Sequence, residues 1–392
     1  MSLSACRQEL LEYASLAFRF PKSLRIPPQS QTSTPMKNLP ASRLLFIFLS
    51  GACSIASASS PLAVSKDEHG GFSVKAGDEL FATYVVHEAN KPFFWPVYGP
   101  TGKLMTRSYP VQEVAGEKQD HPHHRGVTFG HDAVGVEGWT AAKKGEQEGQ
   151  FENAKGGGDS WTEQKSYESA LKNPKSESGG KLKVAGMARI VHKAYKDWKS
   201  SAGAVEMTEV CEHVDASGKR FLTEERHFVF RATDQWRAID FDQDIIATDG
   251  PVRFEDRKDS GLSIRVPSSM AVEAKQGGRI MTSEGLSDDQ AWGKPAKWCD
   301  YHGPVGEELL GIAMLSHPST FRFPDRWHVR TYGLFAANPF GTKSLDKDAV
   351  ETPTLIPAGE RIRLRHRFVF HKGDEVQAGI AGLYDAYASE SH

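Results

Sequence analysis

The last strongly patterned segment of the chain, residues 362–370, most constrains the fold. Two kinds of side chain alternate along it: Ile362, Leu364, His366, Phe368 and Phe370 on one set of positions, and Arg363, Arg365 and Arg367 between them. A period of two is that of a β-strand, whose successive side chains point to opposite faces. The segment therefore predicts a strand with one face in a hydrophobic core and the other against solvent or a polar neighbouring layer.

Strand signals also dominate the rest of the chain. Short alternating or β-branched runs, separated by turn residues, occur at 72–76, 80–86, 181–192, 203–213, 223–231 and 235–242. Helical spacing is rare and occurs at 160–172 and 374–390, while 143–180 as a whole reads as a long surface excursion. Many short strands with few short helices predict a mainly β fold, a large antiparallel β-sandwich.

Composition narrows the possible partners. The 392 residues carry a net charge of -2, which gives no sign of the basic face that nucleic-acid binding requires. No segment after residue 58 is long and apolar enough for a transmembrane helix, so we expect no stable membrane insertion. No linker divides the chain, and residues 65–388 are predicted to form a single domain.

The N-terminal region has the order of a secretory signal. Within residues 36–58, basic residues precede a short apolar run, and small residues ending in Ala56-Ser57-Ala58 follow it. We therefore expect an exported protein, periplasmic or extracellular after cleavage, and we interpret residues 1–35 as a spurious N-terminal extension. Cys211 and Cys299 would remain and form one disulfide or none.

Residues 120–131 carry the densest group of histidines. The segment contains Asp120, His121, His123, His124, Arg125 and His131. Histidine transfers protons and binds metals near neutral pH, which makes the segment a candidate site. Pro122 imposes an extended or turn path, and on extended backbone His124 would point away from its neighbours. We expect one or two of these histidines to act; the alternative is a set of structural histidines at a strand end.

The histidine spacing does not favour a metal cofactor. The paired ligands of common zinc sites, such as H-E-x-x-H or C-x-x-C, do not occur. A metal on His121, His123 and His124 remains the alternative. Nucleophile-elbow, phosphate-loop and dinucleotide-binding glycine motifs are also missing from the sequence.

Two further groups carry candidate binding residues. Residues 316–341 combine proline-rich loop sequence with residues typical of a carbohydrate-contacting surface, although Trp327 could instead anchor the loop in the core: His317, Trp327, His328, Arg330 and Asn338. The second group follows Asp256 and contains Lys258 and Arg265. Arg265 alternates with apolar residues, and an inward arginine needs a carboxylate partner or a ligand. A solvated run of charges is the alternative for this group.

Seven short segments resemble a bacterial family that carries the label methane oxygenase PmoA. Asp-His-Pro-His-His-Arg-Gly and Trp-His-Val-Arg are the most specific, and the segments are 94–102, 120–126, 298–299, 311–313, 316–318, 327–330 and 337–341. The resemblance covers most of residues 70–385. Its label implies a metal-dependent oxidoreductase.

A second resemblance, at the level of the fold, is to the galactose-mutarotase-like supersandwich. The Pro-Ala-Gly-Glu turn at 357–360 before the closing strand is similar to a turn of that fold. Residues 311–325 are similar to the region that carries the mutarotase catalytic glutamate, but Leu-Ser-His-Pro at 315–318 contains no glutamate. The resemblance implies a sugar-binding cleft in a β-sandwich.

These observations predict an exported carbohydrate-active enzyme, a lyase, epimerase or hydrolase, with a carbohydrate or glycoside substrate. The predicted catalytic residues are His123, His124, His317 and Asp120. A hydrolase would need a pair of carboxylates, for which Asp120, Asp256 and Asp300 are candidates. The predicted substrate-binding residues are His121, Arg125, His131, Lys258, Arg265, Trp327, His328, Arg330 and Asn338. A non-catalytic carbohydrate-binding protein is the second hypothesis, and a metal-dependent oxidoreductase the third.

Overall fold

The computed structural model describes residues 60–136, 138–139, 156–163, 187–201 and 203–391. The predicted N-terminal extension, the predicted signal and most of the predicted surface excursion lie outside these residues. In the described part of the chain, no helix has the length and hydropathy needed to cross a membrane.

Strands account for most of the regular structure of the described residues. They are β1 (Leu62–Lys66), β2 (Phe72–Ala76), β3 (Glu79–Val85), β4 (Phe93–Val97), β5 (Val127–His131), β6 (Val134–Val136), β7 (Gly157–Gly158), β8 (Arg189–Ser200), β9 (Val205–Val214), β10 (Arg220–Ala232), β11 (Trp236–Ile246), β12 (Val252–Phe254), β13 (Ser260–Arg265), β14 (Arg279–Thr282), β15 (Trp298–Val305), β16 (Glu308–Ser316), β17 (Arg326–Val329), β18 (Leu334–Asn338), β19 (Thr354–Ile356) and β20 (Arg361–Lys372).

Helices are few among the described residues, as the sequence predicts. Three short 3-10 helices lie in the loops around β14, at Ser268–Met270, Val272–Ala274 and Asp288–Ala291. One α-helix, α1 (Ile380–Ala388), lies within the predicted terminal helix 374–390 and starts later than expected. Among the described residues, the fold is therefore almost entirely β.

The strands form three antiparallel sheets. The first sheet has the order β1-β2-β3-β4-β5-β13-β18-β17, and the second has the order β14-β15-β16-β20-β11-β10-β9-β8. A small sheet has the order β19-β12-β6-β7. The hydrophobic core contains side chains of both large sheets, including Phe72, Phe94, Leu262, Phe241 and Phe368. The predicted large antiparallel β-sandwich is confirmed.

Strand β20 explains the alternation seen in the sequence. Leu364, Phe368 and Phe370 face the core. The arginines between them face the opposite side and pair across the sheet with aspartates of β11: Arg363 with Asp244, Arg365 with Asp242 and Arg367 with Asp240. The arginines therefore pair within their own sheet, with the adjacent strand, and not with a separate polar layer.

Helix α1 covers the outer face of the second sheet. Its buried residues Ile380, Tyr384 and Tyr387 pack against Leu315 and Val369, which lie on that face. Burial of these apolar side chains stabilises the packing of the helix on the sheet. The helix therefore covers this part of the outer face of the second sheet. The two described cysteines, Cys211 and Cys299, are both buried and free, so no disulfide joins them.

Strand β13 brings charge to the outer face of the first sheet. Leu262 and Ile264 face the core, and Arg265 faces the opposite side because side chains alternate along a strand. Trp161, Leu334 and Ala336 form a small hydrophobic cluster separate from the main core. The N-terminal end of β5 lies beside β13, which brings residues 120–126 to the same region.

Candidate functional site

The segment His121-Pro122-His123-His124 forms a tight turn. The backbone amide of His124 donates to the carbonyl of His121 over 3.0 Å, and Pro122 occupies the second turn position, which its fixed φ suits. His121 has a φ of 45°, in the left-handed region that non-glycine residues seldom adopt. The turn therefore replaces the extended path that would point His124 away from the other rings.

The turn brings three of the four predicted histidine rings together. The His121 ring is parallel to that of His124, with centroids 4.9 Å apart, and His123 meets both rings edge-on. Tyr332 is parallel to His121, with its centroid at 5.2 Å. The stack Tyr332–His121–His124 holds His121 between two planar neighbours. The fourth histidine, His131, lies elsewhere.

Asp120 is held by two buried arginines. Its Oδ1 accepts hydrogen bonds from Arg107 over 2.5 Å and from Arg265 over 2.7 Å. Burial raises the pKa of the Asp120 carboxyl, but the hydrogen bond from His121 and the charge of Arg265 outweigh it, and the net pKa lies well below the usual range. Asp120 is therefore an anion at neutral pH. Arg265 is buried on the outer face of the first sheet, and Asp120 is the carboxylate partner expected for it from the sequence.

Asp120 also orients His121. The second carboxylate oxygen, Oδ2, lies 3.3 Å from His121 Nδ1. A carboxylate at Nδ1 favours the tautomer with the proton on that nitrogen, which leaves the Nε2 lone pair to accept a proton. The His121 side chain is 43% exposed, so its ring is accessible to a substrate. Asp120 and His121 thus form a carboxylate–imidazole dyad.

His124 differs from His121 because it is buried. Burial, and then the charges of His123 and Arg265, hold the pKa of His124 well below its usual range, so its ring is neutral at pH 7. Arg265 Nη1 lies 3.4 Å from its Nδ1 and can donate to that nitrogen. We predicted His124 as an acid/base residue, but the structure places it behind His121, where it supports the ring stack.

A cleft of about 400 Å³ adjoins the dyad. Lys118 and Tyr332 join the two: both line the cleft, Lys118 Nζ lies 3.5 Å from Asp120 Oδ2, and Tyr332 packs on His121. The remaining lining residues supply hydroxyl, carboxylate and amide groups and some small side chains: Gly116, Ser268, Ser269, Ala271, Glu273, Ala274 and Gln276. The cleft is large enough for a small ligand with many polar groups.

Three predicted binding residues are instead parts of the folded scaffold. Trp327 is fully buried in the core and donates from its indole to Ala296, so it has no face free for a sugar. Asn338 is buried and hydrogen-bonds five groups of the surrounding loops. His131 is buried, with Nδ1 accepting from the amide of Ala133.

His317 belongs to a different cluster. Its ring lies near Arg365, Ser319 and Tyr387, on the outer face of the second sheet beneath α1. The dyad lies at the first sheet. The prediction that His317 shares one site with the other histidines is therefore wrong, because His317 directly follows strand β16, which belongs to the second sheet.

The other predicted residues lie at varying distances from the dyad. Arg125 is buried against Glu163, bonded over 2.7 Å, and Lys258 is exposed beside Asp259. His328 is buried in β17. Arg330 is exposed, and its guanidinium lies 5.7 Å from the Tyr332 ring centroid. Of these residues, Arg330 is the one placed beside the stack.

Sequence reasoning missed Arg107, Lys118 and Tyr332. Arg107 is fully buried and also donates to the carbonyls of His121 and Lys118, so it fixes the loop that presents the dyad. Each of the three is a single residue outside the histidine cluster. Lys118, two positions before the histidine segment, and Tyr332, two positions after the Trp-His-Val-Arg segment, each had a nearby signal, whereas Arg107 had none.

Comparison with known protein families identifies the family of this chain. A family of unknown function, DUF6807, matches residues 71–385, which include the dyad and the cleft. The chain belongs to this family. None of the curated proteins matches the chain.

Several solved structures are similar to this DUF6807 member at low identity. An α-galactosidase from Lactobacillus brevis has 10% identity and a TM-score of 0.30, over 53% of this chain and 31% of that one. A GH36 α-galactosidase from Geobacillus stearothermophilus has 10% identity and a TM-score of 0.39, over 80% and 41%. Galactose 1-epimerase from Lactobacillus acidophilus NCFM has 7% identity and a TM-score of 0.33, over 80% and 100%. The chain thus corresponds to less than half of either α-galactosidase.

The buried His328 of β17 predicts a pH dependence of the protein's free energy of unfolding. Burial lowers its pKa to about 4, so unfolding raises its proton affinity. Its contribution to stability is complete above the unfolded pKa of about 6.5 and is lost as the pH falls toward 4, by roughly 3 kcal/mol. We expect the free energy of unfolding of His328→Gln to fall less between pH 7 and pH 4 than that of the wild type. Urea denaturation at both pH values measures this.

The exposed His87 provides the control. His87→Gln should keep the wild-type pH slope, since His87 lies at the surface. Equal slopes for His328→Gln and the wild type would contradict a neutral, buried His328.

Proposed function

We propose that this DUF6807 protein is a carbohydrate-active enzyme in which His121 transfers a proton to or from a sugar bound in the cleft. The observation that carries the proposal is the Asp120–His121 dyad, with an exposed ring beside a cleft whose lining includes hydroxyl, amide and charged groups. Carboxylate-oriented histidines act as general bases and, once protonated, as general acids. The proposal moves the acid/base role from His123 and His124 to His121.

The cleft supports a polyhydroxylated ligand. Ser268 and Ser269 offer hydroxyls that both donate and accept, Gln276 offers an amide, and Glu273 a carboxylate. Each hydroxyl of a sugar also donates and accepts, so the two surfaces match. Lys118 ion-pairs with Glu273 over 3.2 Å at one side of the cleft, close to the dyad.

The carboxylates favour a lyase or epimerase over a hydrolase. Asp120 is committed to two arginines. Asp256 accepts hydrogen bonds from the backbone amides of Thr342, Lys343, Ser344 and Thr352 and anchors their loop. Asp300 is fully buried between His302 and His371. None of the three is therefore free to flank a glycosidic bond, whereas proton transfer at carbon starts from a single positioned base, which the dyad offers.

A ligand screen with a blocked cleft tests the proposal. Monosaccharides and plant and algal oligosaccharides would be screened for binding by calorimetry and for turnover by mass spectrometry. Gln276 is exposed in the cleft wall, so Gln276→Trp should weaken binding of a hit by at least about tenfold through steric block. Gln235→Trp changes the same residue type at an exposed turn outside the cleft and should bind as the wild type does. Equal binding by both variants would contradict the cleft as the binding site.

The same screen distinguishes the proposed enzyme from the two alternative functions. A non-catalytic carbohydrate-binding protein would bind a sugar through the cleft and release it unchanged. A metal-dependent oxidoreductase, which the methane oxygenase label implies, would turn over only with a metal and an electron acceptor. Export belongs to the proposal as well and rests on the signal pattern at 36–58.

A further inference from the structure

A second group of titratable side chains lies far from the dyad in the sequence, on the second sheet beside its edge strand β14. Asp300 and His302 are two positions apart on β15, so they project from the same face, and Glu375 comes from the segment between β20 and α1. One donor atom from each of the three lies within 4.8 Å of the others. The group shares no residue with the dyad or the cleft.

The donor atoms are spaced like the inner shell of a metal. His302 Nδ1 lies 2.7 Å from Asp300 Oδ1 and 3.4 Å from Glu375 Oε2. Ligands about 2.0 Å from a tetrahedral ion are about 3.3 Å apart, so small shifts would let all three bind one ion. Without an ion, one ring nitrogen faces two carboxylate oxygens, and a single N–H serves only one of them well.

A further residue orients Asp300. His371 Nε2 donates to Asp300 Oδ2 over 2.7 Å, in the way that outer groups fix a metal-binding carboxylate. The ring of His371 lies directly over Gly311, where an added Cβ would come within 2.1 Å of Cε1. Gly311 therefore makes room for the ring that holds Asp300, an arrangement that a simple surface ion pair would not need.

We infer that Asp300, His302 and Glu375 bind a divalent transition-metal ion. One imidazole with two carboxylates suits Zn²⁺ or Mn²⁺. Asp300 is fully buried, while His302 and Glu375 keep 10% and 15% of their side chains exposed, which leaves the ion a path from solvent. The ion would tie the segment before α1 to the sheet beneath it. This inference does not depend on the proposed function.

Metal binding tests the inference directly. Full-length protein without a histidine tag would be stripped with EDTA, exchanged into Zn²⁺ or Mn²⁺, and freed of excess metal by gel filtration. We expect about one equivalent of one of these ions per chain by elemental analysis, and a higher thermal midpoint than for the stripped protein. His302→Gln and Glu375→Gln should each bind at least about tenfold more weakly.

Glu360→Gln is the matched control, because Glu360 is an exposed glutamate at the other end of β20. It should retain the metal as the wild type does. Wild-type protein that retains neither ion would overturn the inference. So would unchanged binding by Glu375→Gln, a change in a partly exposed loop residue that leaves the sheet intact.

Discussion

Replacing His121 by glutamine is expected to lower kcat for the sugar substrate by about 10²- to 10⁴-fold, the range for removal of a general acid/base. Glutamine keeps a polar side chain of similar reach but cannot carry the proton. Because Asp120, Arg107 and Arg265 stay in place, the cleft should still bind its ligand, and KM should change far less than kcat. Steady-state kinetics on the substrate identified by the screen measure both.

His69 supplies the control for this substitution. It is an exposed histidine in the loop between β1 and β2, and His69→Gln should leave kcat unchanged. An equal loss in both variants, or full activity of His121→Gln, would contradict the proton-transfer role. His124→Gln is expected to lose less than His121→Gln, since its ring is buried behind His121.

Glu224→Gln is expected to lower the free energy of unfolding by about 3–5 kcal/mol. Glu224 is fully buried between Arg226, which donates to it over 2.8 Å, and His213, at 2.8 Å. Removing its charge leaves the Arg226 guanidinium buried without its direct counter-ion, and the nearest remaining carboxylate, Glu209, lies beyond the Tyr84 hydroxyl. A buried charge that loses its counter-ion is strongly destabilising.

The adjacent residue on the same strand provides the control. Glu225 points to the other face and pairs with Lys196, whose side chain is 51% exposed. Glu225→Gln should cost less than about 1 kcal/mol, as exposed ion pairs do. Urea denaturation of both variants at pH 7 gives the comparison. Equally small losses of unfolding free energy in the two variants would contradict a large contribution of the buried Glu224 charge to stability.

The sequence predicted the fold because the strand period is local. The alternation at 362–370 places Leu364, Phe368 and Phe370 in the core without knowledge of any other strand. The aspartates that pair with the arginines could not be found in the same way. Asp240, Asp242 and Asp244 are more than a hundred positions away, and only the register of β11 against β20 brings them opposite.

The site was predicted in part for the same reason. The histidine turn is local, and Pro122 indicated either an extended or a turn path. The positions of the rings also depend on residues outside the turn: Arg107 donates to the carbonyl of His121, and Tyr332, more than two hundred positions away, stacks on the His121 ring. His317 and Trp327 show the reverse error. Their neighbours in the sequence are typical of a binding surface, but their strands carry them to a helix-covered face and into the core.

The most direct test of the dyad is proton exchange with solvent. Incubation of the identified sugar with wild-type protein in D₂O, followed by NMR of the recovered sugar and product, reports removal of a proton from carbon. With the wild type, we expect an epimerase to place deuterium at the inverted carbon, and a lyase to give a product that lacks one carbon-bound hydrogen of the substrate; neither change should exceed background with His121→Gln. A product that keeps every carbon-bound hydrogen of the substrate, or the same change in His121→Gln, would contradict proton transfer at carbon by the Asp120–His121 dyad.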